Sequence, residues 1–113
     1  HTNISKIIDI LPRMNKADII KTLSNETRWH ILEWLKIPEG SFPNMKAPYN
    51  PTLSICNDAI RRNEGLSQPT TSHYLALLNR CDLLIATRLG QWTHYKRNEA
   101  TIKAFTQMLK QDL

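Results

Sequence analysis

The stretch "GLSQPTTSHYLALLNRCDLL", Gly65 to Leu84, decides the fold. Its second half is spaced as a helix, with Leu75, Leu77 and Leu78 apolar. Its first half, Ser-Gln-Pro-Thr-Thr-Ser-His, is made of mediocre helix formers. Ser67 suits an N-cap, and Pro69 suits a first turn, where its missing N–H would have no partner anyway. Thr70, Thr71, Ser72 and His73 need another reason. The second helix of a helix–turn–helix unit puts its N-terminal end into the major groove. Short polar side chains let that end approach closely and bond base edges, and the positive end of the helix dipole faces the phosphates. Gln68 suits bidentate pairing with adenine. Leu75 and Leu78, deeper in the helix, hold it against the core. A merely soluble helix start has the same composition, so the flanking sequence has to decide.

Downstream, "LLIATRLGQWTHYKR" changes period. Ile85, Thr87 and Leu89 alternate with Ala86 and Arg88, and Trp92, His94 and Lys96 alternate with Thr93 and Tyr95. This pattern around Leu89-Gly90-Gln91 predicts a short β-hairpin. Such a hairpin is a wing over residues 84–97, tipped by Arg88 and Gln91, with Arg88, Lys96 and Arg97 supplying charge for phosphates. Asn98 then caps a last helix whose stripe is Ile102, Phe105, Met108, Leu109 and Leu113.

Upstream, Ile4, Ile7, Ile8 and Leu11 fall at helical spacing, and Pro12 ends or kinks that helix. "NKADIIKTLS" predicts a second helix. "SNETRWHILEWLK" predicts a third, capped by Ser24 or Asn25, with Glu26 in its first turn. Trp29, Ile31, Leu32, Trp34 and Leu35 make the third helix apolar over much of its circumference, so it is expected to be the most buried. Residues 37–52 hold Pro38, Pro43, Pro48 and Pro51, four of the six prolines, and form a long loop. "LSICNDAIRR" resumes helical spacing through Leu53, Ile55, Cys56, Ala59 and Ile60, and "NEGL" is a turn. The expected fold is mainly α: one winged helix–turn–helix domain over 1–113, with the helix–turn–helix at 53–81. The terminal helices, 1–23 and 98–113, are the expected dimerisation elements, because so small a chain has limited room to bury both stripes itself.

The 113 residues carry a formal net charge of +5, 41% hydrophobic and 22% charged residues. That balance is globular and basic, which suits a polyanionic partner. No apolar run reaches the ~20 residues of a membrane span. "HTNISKIIDIL" lacks the apolar region of a signal peptide, and His1 reads as the edge of a trimmed chain. Two cysteines, Cys56 and Cys81, without framework spacing fit a reduced, cytoplasmic protein.

"LSNETRWHILEWL", "GLSQPTTSHYLALLNRCDLL" and "RLGQWTHYKR" resemble the ArsR/SmtB family of bacterial winged-helix repressors. The family pattern is a helix opening in Asp-Pro-Thr-Arg, a recognition helix reading Leu-Ser-Gln-Pro-Thr-Val-Ser-His-His-Leu, and a wing containing Gly-Arg-Trp-x-x-Tyr. The match covers about residues 17–97, and the last helix in type; its recognition-helix part is the most specific. The resemblance implies a homodimer that binds an inverted-repeat operator in double-stranded DNA and is released by an effector. By position it implies Gln68, Thr70, Thr71, Ser72 and His73 as DNA-reading residues, and Arg88 and Gln91 as backbone or minor-groove contacts. The chain departs from the pattern at four places. Asn25-Glu26 replaces Asp-Pro. Thr71 stands where Val is common, so its hydroxyl needs a backbone acceptor. Asp82 takes the usual Gly place after the recognition helix. Residues 37–52 are an insertion relative to the shortest members.

The effector is not legible. One family metal site uses Cys-x-Cys before the recognition helix, but here Ser54 precedes a lone Cys56. The other uses Asp and His on the last helix, which offers only Glu99 and Asp112. No metal and no cofactor is therefore expected. A repressor answering to thiol oxidation or a metal through Cys56 is the alternative, set against Cys56 as a small core residue and Cys81 as a helix-end residue. Phe42, Met45 and Tyr49 in the 37–52 loop suit either an organic effector or plain core cover. No spacing pairs a base with a thiol, so no enzyme is expected. A winged-helix module that binds only protein is the remaining alternative; the polar helix start and the basic wing argue against it.

Overall fold

The structure is a computed structural model that describes residues 9–36 and 54–113. The expectations at Ile4, Ile7, Ile8 and Leu53, and the whole 37–52 loop, lie outside the described residues. After a 3-10 turn over Leu11–Arg13 come α1 (Lys16–Leu23), α2 (Glu26–Lys36), β1 (Ile55–Cys56), α3 (Asn57–Glu64), α4 (Gln68–Arg80), β2 (Leu84–Leu89), β3 (Trp92–Arg97) and α5 (Glu99–Asp112). This is a winged helix–turn–helix, as the sequence predicts. Among the described residues no helix is long and apolar enough to cross a membrane.

Local chemistry starts each helix. Asn15 Oδ1 accepts from Asp18 N–H at 3.1 Å, Asn25 Oδ1 from Arg28 N–H at 2.9 Å, and Ser67 Oγ from Thr70 N–H at 3.2 Å. Asn98 Oδ1 accepts from Thr101 N–H at 3.4 Å. Each supplies an acceptor to a first-turn donor that otherwise has none. α3 has no side-chain cap, and Asp58 puts a negative charge in its first turn instead.

The core draws Ile19 from α1, Ile31, Leu32 and Leu35 from α2, Ile60 from α3, Leu75 and Leu78 from α4, and Phe105 from α5. Ile55, Leu83 and Leu84 close it from the sheet side. Two expectations are corrected. Ile55 and Cys56 are not helical. They form the strand β1, paired antiparallel with Tyr95 and His94, so the sheet order is β1-β3-β2 and the helix–turn–helix begins at Asn57. An apolar pair this short fits a strand or a helix equally, and the free edge of β3 takes it. Nor is α2 buried all round: Trp29 is 52% exposed. One face, Ile31, Leu32 and Leu35, meets the core, Trp34 packs partly buried against it, and the His30 ring lies tilted against Trp34 at 4.4 Å.

α4 ends in a Schellman closure. Leu83 N–H donates to Leu78 O at 3.0 Å and Asp82 N–H to Asn79 O at 3.0 Å, with Asp82 left-handed at φ 62°. Asp holds this conformation at a cost that glycine avoids. Asp82 is exposed, so Asp82→Gly is expected to raise stability by about 0.5 kcal/mol after glycine's larger unfolded-state entropy is deducted. A thermal melt checks it, and a lower midpoint would mean that the aspartate carboxylate contributes more than its strain.

Candidate nucleic-acid interface

The tip of α4 carries the sequence-predicted residues in two sets. Gln68, Ser72 and His73 are exposed, while Leu75 and Leu78, at 1% and 0% exposure, anchor the helix in the core. Thr70 is half-buried, and its hydroxyl accepts from Ser67 Oγ at 2.9 Å. Thr71 is a correction. It is 3% exposed, and its hydroxyl donates to Ser67 O at 2.8 Å, one turn back. That bond is the backbone acceptor its hydroxyl requires, and it commits the hydroxyl proton within the helix. Arg28 fixes the helix from behind. Its guanidinium lies 5.0 Å from the Tyr74 ring centroid, and its Nε donates to Thr22 O at 2.7 Å.

β2 and β3 form the hairpin, with Leu84 to Leu89 paired against Arg97 to Trp92. Its two-residue turn is Gly90-Gln91, and Gly90 takes φ 63° as the first turn residue, where a left-handed backbone favours glycine. Arg88 and Gln91 are exposed there, and Arg88 Nε donates to Gly90 O at 3.0 Å. Arg97 corrects the expectation that it serves phosphates. It grips Glu99 through Nε at 2.7 Å and Nη2 at 3.2 Å, and donates Nη1 to Leu32 O at 2.9 Å. It is a latch between wing, α5 and α2.

Between the α4 tip and the wing lies a groove of about 220 Å³, lined by Asn57, Asp58, Arg61, Gln68, Ser72 and Trp92. Sequence reading gave no role there to the α3 residues or to Trp92. The i, i+3 and i, i+4 spacing of Asp58 with Arg61 and Arg62 was the available signal.

The donors do not fit a family-type metal site. Cys56 Sγ has Asn57 Oδ1 at 3.4 Å as its neighbour. On α5, Glu99 is tied to Arg97, and Asp112 lies 3.7 Å from Lys16 Nζ. Among the described residues no group of three His, Cys, Asp or Glu is placed to hold a metal. Burial pushes the Cys81 thiol up from its ordinary value, away from the thiolate that a reactive cysteine needs.

No family model matches the chain. The chain is 36% identical, over 100 residues, to the helix–turn–helix-type transcriptional regulator YbzH of Bacillus subtilis (strain 168), covering 88% of this chain and all of that one. It belongs with the helix–turn–helix-type transcriptional regulators. Solved structures share the ArsR-type fold at lower identity. An ArsR-like transcriptional regulator from Rhodococcus sp. RHA1 superposes with a TM-score of 0.63 at 20% identity, over 85% of this chain and 76% of that one. The homodimeric winged helix–turn–helix DNA-binding domain of Mb0332 from Mycobacterium bovis gives 0.59 at 23% identity, over 82% and 73%. In this chain, residues of α4 and of the wing line one groove.

Proposed function

We propose that this regulator is a repressor that binds an inverted-repeat operator as a cytoplasmic homodimer and leaves it when an effector arrives. The observation that carries the reading is the exposed N-terminal end of α4: Gln68, Ser72 and His73 are presented to solvent by a helix that Thr71, Leu75 and Leu78 seal into the core. A helix held so firmly, with short polar groups at its positive end, is built to enter a major groove. Gln68, Thr70, Ser72 and His73 are the proposed reading and positioning groups at the tip, and Arg88 and Gln91 reach the flanking backbone or minor groove.

Dimerisation is supported by α5, where Ile102, Met108 and Leu109 stay partly exposed and Leu113 is exposed, while Phe105 and Ala104 serve the protomer's own core. The Mycobacterium bovis domain of the same fold is homodimeric. The effector is proposed to be other than a metal bound at either family site, since Ser54 stands where one site has a thiolate and α5 carries no histidine for the other.

Sedimentation should give twice the 13.1 kDa of one chain, and selection from a random duplex pool should return sites with two-fold symmetry, half-sites about 34–36 Å apart. A monomer that selects no sequence would sink this reading.

A further inference from the structure

Asp58, Arg61 and Arg62 make a three-residue cluster that the reading above leaves unused. Arg61 donates to Asp58 Oδ1 from Nε at 3.2 Å and Nη2 at 3.1 Å. Arg62 Nε lies 2.9 Å from Asp58 Oδ2. One carboxylate therefore occupies two guanidinium groups, one on each oxygen. The cluster is not a structural anchor: Arg62 is exposed, Asp58 and Arg61 are half-exposed, and ion pairs of this kind contribute little to stability. Its place is what matters. Asp58 and Arg61 line the groove that also holds Gln68, Ser72 and Trp92, and the first helix of a helix–turn–helix crosses the DNA backbone.

We propose that Asp58 is a specificity-determining positioning residue that ties Arg61 and Arg62 away from phosphates and so restrains sequence-independent binding to DNA. Sequence-independent affinity rises with each cation that releases condensed counterions from the duplex. Two arginines free on α3, Arg61 in the groove and Arg62 beside it in the sequence, would hold this protein on any duplex. Tied to one carboxylate, they leave the tip of α4 and the wing to set the affinity. The inference rests on the DNA-binding reading above.

The test measures affinity for a random-sequence DNA duplex as salt is varied. Asp58→Asn keeps the side-chain shape and removes the charge. It is expected to bind about tenfold tighter at about 0.1 M salt, with a salt slope steeper by about 0.9 for each arginine released. In an Arg61→Gln/Arg62→Gln background, the gain from Asp58→Asn should vanish. A gain that survives there in full would mean that Asp58 acts by direct repulsion of phosphates, and it overturns the proposal, as does unchanged or weaker binding by Asp58→Asn. Arg62→Gln alone, at an exposed position that does not threaten folding, should leave the wild-type affinity nearly unchanged. A clear loss would show Arg62 already free for phosphates and equally overturns the idea. A wild-type protein that binds no duplex at low salt sinks the DNA-binding reading itself, whereas equal binding by wild type and Asp58→Asn sinks this inference alone.

Discussion

Leu78→Ala is expected to cost about 3–4 kcal/mol of folding stability, the range found for fully buried leucines whose surroundings cannot collapse. Leu78 has no exposed surface and sits in the cluster shared by all five helices and the sheet. Its neighbours belong to different elements, so filling the void would require several of them to shift together, and close-packed interiors resist that. The backbone bond from Leu83 N–H to Leu78 O survives the substitution, so the loss measures side-chain packing and not the closure of α4. A domain of this size has roughly 5–15 kcal/mol in all. A midpoint drop of about 13–17 °C follows, and a urea melt followed by circular dichroism should show a lower midpoint with an unchanged slope. A cost under about 1 kcal/mol would mean that α4 is not anchored through this residue, and the rigid presentation of Gln68 and Ser72 would lose its basis.

That anchoring is also where the sequence is most readable. Leu75 and Leu78 are three apart, so they share a face with Thr71, and His73 is turned away from it. Once Leu75 and Leu78 are assigned to the core, the outward turn of His73 follows from the 3.6-residue period, whereas Gln68, two turns before Leu75, is exposed because it is the first residue of the helix. The end of α4 is legible for a related reason: the position after the helix demands φ > 0, and Asp82 is among the few side chains that tolerate it. The hairpin is legible through Gly90 and the alternation on either side.

Other features are decided by tertiary packing. Ile55 and Cys56 carry no signal that separates two extended residues from the start of α3; the free edge of β3 makes the choice. A positive charge does not announce its partner either. Arg88 and Arg97 look alike in the hairpin sequence, yet one is exposed at the turn and the other is spent on Glu99 and the Leu32 carbonyl. Thr71 sits one residue from Ser72, but helical rotation turns it inward, where the hydroxyl is viable only because Ser67 O lies one turn back. The pairing of Asp58 with two arginines is written in the local spacing. Its position beside Gln68 and Trp92 comes from the packing of α3 against α4 and the wing, which no local pattern records.

Gln68→Ala and Arg88→Ala should weaken DNA binding in two different ways. Gln68 is the first residue of α4, exposed, and its amide offers one donor and one acceptor, the pattern that the major-groove edge of adenine complements. Its removal is expected to lower affinity for a selected two-fold-symmetric site by about 30-fold or more, because about 1–3 kcal/mol is lost in each of the two half-sites. Affinity for a random duplex and the salt slope should stay where they are, because no phosphate contact is lost. Arg88 carries charge at the hairpin turn, with one donor committed to Gly90 O. Its removal should weaken selected and random duplexes by similar factors and flatten the salt slope by about 0.9 per wing. Titrations of both variants against both duplexes over a salt series separate the two patterns. The contrast matters more than either loss. If Gln68→Ala weakened the random duplex as much as the selected one, the tip of α4 would be lying along the backbone instead of entering the groove. The wing would then hold the only candidate reading groups, and the polar opening of α4 would be a phosphate contact surface.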